Sequence, residues 1–304
     1  MHFQPESITI YSMKRLFLQY VCIVLLLFGG AGILSAYELE FTAGVNGMTF
    51  HPDKTRAYTD TGDIFEAYPF GLGALNFRHD VSETFSFSIN LERDNILKNS
   101  LNAMLKSRTD NFRFEFGPFF GLPDGLEFPD TGIIGELELA FPGIFFISIS
   151  GSSSLGSHID FFSENSRETA GVKAGFWIKG TVLSFSASYK NLARQEEEFL
   201  IVTDSLTRYC GSLDFYAKRS RVTGSFFGGY QTYSRNYKRG NLDFSDVLSA
   251  WYAGMELKIQ VSKPLELKFG LEIPIKNIPV EPLIITDDFI FLSKAYAGFV
   301  YSIK

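Results

Sequence analysis

The chain lacks the groups on which several classes of protein depend. Among 304 residues there are only two cysteines and four histidines, and 28 lysines and arginines stand against 34 aspartates and glutamates. This acidic balance, without a basic cluster, argues against nucleic-acid binding, which requires lysine and arginine to neutralise phosphates. Cys22 lies in an N-terminal apolar run, so Cys210 is left without a partner for an intrachain disulfide.

The common catalytic motifs are also missing. No HExxH, CxxC, GxSxG or phosphate-binding loop occurs. His158 and Asp160 lie in one polar segment and Asp287 and Asp288 in another, and outer-membrane proteases use an Asp-His pair with a separate acidic pair. The His and Asp stand here in the opposite order. We therefore predict no enzymatic activity, no metal site and no cofactor.

Only one long apolar run is present, over residues 16–34, and it follows Lys14 and Arg15. A basic start, an apolar core and a small residue at the end are typical of a secretory signal peptide. We predict a signal peptide over residues 1–36, cleaved after Ala36, with Met13 as an alternative start. An uncleaved anchor is the alternative, because the run approaches the ~20 residues that span a bilayer. A glycine-rich break within the run favours cleavage.

The rest of the chain contains repeated segments in which apolar and polar residues alternate. In residues 265–273 every second residue is Leu, Phe or Ile, and in residues 112–116 three phenylalanines alternate with Arg113 and Glu115. Alternate side chains of a strand point to opposite faces, so each segment has one apolar and one polar face. So many apolar faces require an apolar environment, and a bilayer supplies one to every strand at once.

A sheet can span hydrocarbon only if it closes, since every backbone N–H and C=O must be paired. We therefore predict an all-β transmembrane antiparallel barrel, formed by a single domain over residues 37–304. The alternating segments number thirteen, and bacterial barrels have even strand counts. This gives about 12 strands, with 14 as the alternative. Long polar connections are predicted at 51–63, 93–109, 152–167, 191–207, 234–246 and 275–288.

One connection departs from the strand pattern. Within residues 95–106, apolar side chains recur at helical spacing, at Ile96, Leu97, Leu101, Met104 and Leu105. The spacing predicts a short amphipathic helix that covers one end of the barrel. A plug inside the barrel is the less favoured alternative.

Aromatic residues near strand ends are expected to meet the lipid headgroups. Tyr37, Tyr189, Tyr209, Trp251 and Tyr301 fall on predicted outward faces. Outer-membrane barrels carry aromatic girdles at both interfaces. Ordinary aromatic enrichment in strands is the alternative explanation.

The last strand ends in Tyr296, Gly298, Tyr301 and Ile303, a spacing that resembles the C-terminal recognition signal of outer-membrane barrels. That resemblance implies insertion by the outer-membrane assembly machinery. The segments 112–121 and 141–146 resemble small spirochaetal outer-membrane β-barrel proteins, a group mostly without assigned function. The signal peptide and the apolar strand faces predict export to the bacterial outer membrane and contact with outer-membrane lipid, and we expect a monomer or small homo-oligomer.

The polar faces of the strands carry charges of both signs, with acids in excess. The predicted lumen-lining residues are Glu115, Glu136, Glu138, Lys173, Lys179, Asp214, Glu256, Lys258, Glu266, Lys268 and Glu272. Side-chain charge in a water-filled path sets ion preference. The sequence therefore predicts a passive channel for small, unidentified solutes with a mild preference for cations.

Two other functions fit the same pattern. Bulky residues fall at inward positions, namely Ile134, Phe146, Trp177, Phe227 and Tyr252, and they would suit a transporter of a hydrophobic compound of fatty-acid type, unless they only pack a narrow lumen. A closed structural or adhesive barrel that presents the connections 152–167, 191–207 and 234–246 is the third possibility.

Overall fold

The structure is a computed structural model that describes residues 37–46, 68–94, 96–122, 130–155, 166–197, 200–216, 221–239, 242–279 and 294–303. The predicted signal peptide at 1–36 and the predicted connection at 51–63 lie outside these residues. So do the histidine and aspartates considered above for proteolysis, in the segments 156–165 and 280–293.

Fourteen antiparallel strands form a closed barrel in which each strand pairs with the next along the chain. The strands are β1 (Tyr37–Asn46), β2 (Tyr68–Asp80), β3 (Phe85–Asp94), β4 (Lys98–Arg108), β5 (Phe112–Leu122), β6 (Thr131–Phe141), β7 (Phe145–Ser154), β8 (Ser166–Ile178), β9 (Thr181–Glu197), β10 (Leu200–Phe215), β11 (Val222–Arg239), β12 (Leu242–Gln260), β13 (Leu265–Pro279) and β14 (Lys294–Ile303). Pairing of β1 with β14, from Tyr37 opposite Ile303 to Asn46 opposite Lys294, closes the wall. The alternative count of 14 is correct, and the main expectation of 12 is wrong.

The two ends of the barrel differ in their connections. The start of β1 and the end of β14 share one end with the turns 81–84, 109–111, 142–144, 179–180, 216–221 and 261–264, and we call it the turn end. The opposite end, the loop end, has the connections 47–67, 95–97, 123–130, 155–165, 198–199, 240–241 and 280–293. At the turn end, Lys179 and Gly180 have φ values of 43° and 88°. Positive φ at both central residues is what a two-residue hairpin turn needs to match strand twist.

The prediction of a helix over residues 95–106 is wrong. This part of the chain contains the strand that was missing from the predicted set. Residues 98–108 form β4, which pairs with β3 from Phe85 opposite Ser107 to Asp94 opposite Lys98. Leu101 and Leu105 are four residues apart, and that spacing places two side chains on one face in a strand as well as in a helix. No helix occurs among the described residues, and so none there is long and apolar enough to cross a membrane.

Besides 93–109, which contains β4, two more predicted long connections are largely strand. Residues 191–197 and 200–207 extend the β9–β10 hairpin, and residues 234–239 and 242–246 extend the β11–β12 hairpin. Their strands have 16 to 19 residues, whereas β1 and β14 have 10. The outer face turns polar there, at Asn191, Ser205 and Thr207, so the apolar alternation that indicated strands ends before the hydrogen-bonded ladder does.

The outer surface is an apolar band bordered by aromatic residues. Phe114, Phe226 and Phe269 are 41, 55 and 42% exposed, which is the surface of a protein whose outer solvent is hydrocarbon. Tyr209 pairs with Tyr230, and Tyr230 with Trp251, so a row of aromatic side chains crosses three strands where the outer face turns polar. Tyr37 and Tyr301 lie at the turn end.

Candidate channel lumen

The interior contains a cavity of about 480 Å³. It is bounded by β1 to β8 and lined mainly by amides, hydroxyls and carboxylates, with three apolar side chains. The lining residues are Glu40, Ala74, Asn76, Ser88, Asn90, Glu92, Asn102, Met104, Lys106, Glu115, Ile134, Gly135, Glu136, Ser150, Gly151 and Thr169. Four of them are glutamates and one is a lysine, so the cavity itself has an acidic excess.

Three asparagines form a row across neighbouring strands of this cavity. Asn76 on β2 is opposite Asn90 on β3, and Asn90 is opposite Asn102 on β4. Side chains at such paired positions lie about 5 Å apart. We call Asn76, Asn90 and Asn102 the amide row.

The β3–β4 turn crosses the lumen at the loop end. The Asp94 carboxylate accepts hydrogen bonds from the backbone N–H of Ile96, at 2.8 Å, and of Leu97, at 3.0 Å. Ile96 is buried against Leu206 of β10, with Leu97 and Tyr233 packed beside them. Strand β10 lies seven places from β3 in the closed order of fourteen, on the opposite wall. We call Asp94 together with residues 96–98 the tip.

Ion pairs inside the barrel also join strands that are not neighbours in the wall. Lys190 of β9 donates a 2.8 Å hydrogen bond to Asp94 of β3, six strands away in the wall. Arg208 of β10 donates one of 2.8 Å to Glu272 of β13 and lies 4.3 Å from the ring centre of Tyr252. Contacts between distant strands can form only through the interior, so these charged groups cross the lumen.

The tip rests on a polar cluster in the opposite wall. Asp204 of β10, which is 1% exposed, accepts hydrogen bonds from Tyr233 and Arg235 at 2.5 and 2.6 Å and lies 3.2 Å from Arg194. Tyr233 also packs against the cluster formed by Ile96 and Leu206. Its hydrogen bond to Asp204 therefore holds a side chain that borders the contact between the tip and β10.

A second buried pair ties the loop ends of several strands together. Arg167 of β8 donates hydrogen bonds of 3.3 Å to Asp130, just before β6, and to the Asn99 carbonyl of β4. Its guanidinium lies 5.8 Å from the ring centre of Phe119. Gly121 leaves the space for this pair, because an added Cβ would lie 1.5 Å from an Asp130 oxygen.

Most of the predicted lumen-lining residues lie on the inner side of strands. Glu115 bridges Lys106, at 3.0 Å, and Arg113, and Glu136 is opposite Glu115 on β6. Glu138 lines a second hollow, at the turn end. Lys179 instead occupies the β8–β9 turn. The inward parity of the strands also includes Lys173, Asp214 and Glu266.

The remaining predicted residues pair near the closure of the barrel. Lys268 of β13 donates a 2.5 Å hydrogen bond to Glu40 of β1, Lys258 lies 3.4 Å from Glu256, and Tyr296 donates to Glu256. Gly298 allows β14 to approach β1, since a Cβ would lie 2.1 Å from the Phe41 carbonyl. Tyr301 and Ile303 lie on the outer face.

The bulky inward residues pack rather than line a hydrophobic site. Phe146 and Trp177 have ring centres 5.2 Å apart, and Tyr252 is 1% exposed beneath Arg208. Phe227 fills the space above Gly254. Ile134 alone of the five borders the cavity. The chain's lumen is thus polar where it is open.

Several residues of this arrangement were not among the predicted site residues. The amide row, Asp94, Arg167 and Arg208 lack a local signature, because a polar residue on the inner face of a strand is common in any barrel. The Asp94-Asn95 pair is a typical turn signal and could have indicated the β3–β4 turn. Within the described part of the chain, no group of acidic, histidine and cysteine side chains could hold a metal ion.

Solved structures that resemble this chain include outer-membrane proteins, porins among them, and an outer-membrane secretin. A loop-deleted OmpT of Vibrio cholerae is 10% identical, with a TM-score of 0.39, over 90% of this chain and 100% of that one. An anion-selective porin of Comamonas acidovorans is 10% identical, with a TM-score of 0.38, over 88% and 99%. A bacterial polysaccharide outer-membrane secretin is 8% identical, with a TM-score of 0.40, over 90% and 100%.

At these scores none of the three lends this chain a function. No protein-family model and no curated protein matches the sequence. The resemblance to spirochaetal barrels finds no support in these comparisons, whereas the closed barrel is established by the pairing of its own strands.

Proposed function

We propose that this protein is a bacterial outer-membrane channel for small hydrophilic solutes, with a mild preference for cations, and that the tip closes it at the loop end. The turn end would face the periplasm and the loop end the exterior, as in barrels with short periplasmic turns. Outer-membrane lipid would surround the apolar band, and the C-terminal strand would be read by the assembly machinery.

The observation that carries this proposal is the meeting of the tip with the opposite wall above a polar cavity. The tip is a short turn that packs through Ile96 and Leu97 against Leu206 and Tyr233 and pairs through Asp94 with Lys190. Such a turn can leave the wall without disturbing the paired strands, because its backbone contributes no ladder hydrogen bond to β10. Withdrawal would open the polar interior toward the loop end.

A cross-link between the tip and β10 tests this proposal. Cysteines are placed at Ile96 and Leu206 in a Cys210→Ser background, the protein is refolded from the mature sequence, and the pair is joined by oxidation or a short bifunctional maleimide. We expect conductance in planar bilayers to be lost in the cross-linked protein. Reduction of the oxidised pair should restore it to the level of the uncross-linked barrel.

The single Ile96→Cys variant, treated identically, is the matched control and should conduct before and after oxidation. Mass spectrometry verifies the cross-link. Equal conductance of the oxidised and reduced pair contradicts closure by the tip, and a silent bilayer with both contradicts the channel itself.

A closed structural barrel is the competing function, favoured by the ion pairs of Asp94 and Glu272 that cross the lumen. In that case the barrel would present its outer surface alone, and its extended β9–β10 and β11–β12 hairpins would be the display elements. The same bilayer measurement decides between the two functions. Transport of a fatty-acid-like compound is less favoured, because the cavity is lined by carboxylates and amides.

A further inference from the structure

Two buried polar side chains of the cavity make no hydrogen bond with the described residues. Asn102 is 7% exposed and Ser88 is 1% exposed, and both line the cavity. Their side-chain polar atoms are reached from the cavity rather than enclosed by protein. The occupant of the cavity, water included, is therefore their hydrogen-bond partner.

Some other buried polar groups of the same interior are paired within the protein, while Arg167 Nε, Gln231 Oε1 and Glu272 Oε1 have no hydrogen-bond partner among the described residues. Ser184 and Ser212 share a 2.7 Å hydrogen bond, and Asp204 has three partners. Ser184, Ser212 and Asp204 thus join strands of the barrel, whereas Asn102 and Ser88 present their polar atoms to the cavity.

The donor and acceptor pattern of the cavity restricts the chemistry of an occupant. Each amide of the row offers two N–H donors and a carbonyl acceptor, and serine hydroxyls donate and accept. Glu92 and Glu136 add acceptors. A hydroxyl group also donates and accepts, so a molecule with several hydroxyls matches all of these groups at once.

Other classes of ligand fit this lining less well. An anion would meet four glutamates against a single lysine, Lys106, which is already 3.0 Å from Glu115. An ammonium ion has donors only, and it would leave the N–H groups of the amide row unmatched. A hydrocarbon would leave Asn102 and Ser88 without partners. The volume of about 480 Å³ lies within the ~300–1,000 Å³ of small-molecule sites.

We propose that the cavity binds an uncharged polyhydroxylated molecule of monosaccharide to disaccharide size, held by the amide row and Ser88. This inference deepens the proposed function by naming the solute class, and it rests on that function only for the route by which the solute arrives. Water is the competing occupant, since a hydrated lumen would satisfy the same side chains.

The test measures binding to the refolded protein in detergent by calorimetry and equilibrium dialysis. Glucose and maltose are the neutral probes, and gluconate and glucosamine are the charged ones. We expect the neutral probes to bind and both charged probes to bind more weakly. Asn102→Leu should weaken the neutral binding about tenfold, because about two net hydrogen bonds are lost. Ser88→Ala should weaken it by a smaller factor.

Asn236→Leu is the matched control, because Asn236 lies on the outer face of β11, beyond the aromatic row. It should leave binding unchanged. The temperature at which each variant loses its compact gel mobility measures the stability of the barrel. For Asn102→Leu this temperature should be equal to or above that of the unmodified barrel. A purely structural asparagine would instead lower it.

Absence of neutral binding, or binding of glucosamine alone, overturns the proposal. So does equal weakening by Asn102→Leu and Asn236→Leu. Binding in detergent does not require transport through the barrel. Sugar binding without conductance in bilayers would therefore contradict the channel but support the binding site. Conductance without sugar binding would support the channel and contradict the binding site.

Discussion

At the scale of single residues, two facing glutamates in the lumen have different surroundings. Glu115 is buried between Lys106 and Arg113, whereas Glu136, directly opposite it on β6, makes no ion pair among the described residues. A carboxylate already neutralised by two cations adds little field to the cavity. Glu136 is therefore the charge that a permeating ion should meet.

We predict that Glu136→Gln lowers the cation-to-anion permeability ratio roughly two- to fivefold, since one charge at ~4 Å in water-like surroundings is worth ~1 kcal/mol. The reversal potential in a potassium chloride gradient measures the ratio. Glu83→Gln, the same change in the exposed β2–β3 turn, should leave it near that of the unmodified barrel. An equal shift in both variants would place the selectivity outside the cavity.

At the scale of elements, the β3–β4 hairpin combines a wall segment with a tip that leaves the wall. Asp94 has two roles in the tip: one carboxylate oxygen accepts the N–H of Ile96 and Leu97, and the other accepts Lys190. The two roles can be separated, because an asparagine keeps an acceptor oxygen for the turn and removes the charge.

We predict that the open probability in single-channel recordings rises from the unmodified barrel to Asp94→Asn and rises further in Asp94→Ala. The loss of both sets of bonds should shift the equilibrium about tenfold. Lys190→Met should match Asp94→Asn, because each removes the same pair. If Asp94→Asn conducts like the unmodified barrel, Lys190 does not hold the tip.

In this hairpin, the alternation of apolar and polar residues predicts one strand correctly and fails to predict the other. The alternation of Phe85, Phe87 and Ile89 correctly predicted β3, since each apolar side chain faces lipid. In β4 the outward residues are Leu101, Ala103 and Leu105, while Met104 faces the cavity and Ile96 packs across the lumen. Those two apolar side chains face inward, and their spacing therefore imitated a helical stripe.

At the scale of the whole molecule, the barrel has two tryptophans in opposite surroundings. Trp251 is 52% exposed on the outer face within the aromatic row, and Trp177 packs inside against Phe146. Aromatic side chains in such a row lie at the level of the lipid headgroups. The fluorescence of the two tryptophans can therefore show which side of the wall contacts lipid.

We predict that the Trp177→Phe variant, which keeps Trp251, is quenched by brominated phospholipids, most strongly when the bromines lie near the headgroup. The Trp251→Phe variant, which keeps Trp177, should retain its fluorescence. Both variants should show the heat-dependent gel mobility of a closed barrel. Equal quenching of the two would place lipid on both faces and contradict the membrane barrel.

The closed antiparallel barrel, its two faces and the acidic excess of its inner residues could be predicted from the amino-acid sequence. These follow from a period of two that each strand carries in its own residues, together with the rule that backbone in hydrocarbon must be paired. Tertiary structure alone decided that Asp94 meets Lys190, that Ile96 meets Leu206 and that the amide row shares one cavity. Those contacts join strands on opposite walls, and no local periodicity records which side chains face each other across a lumen.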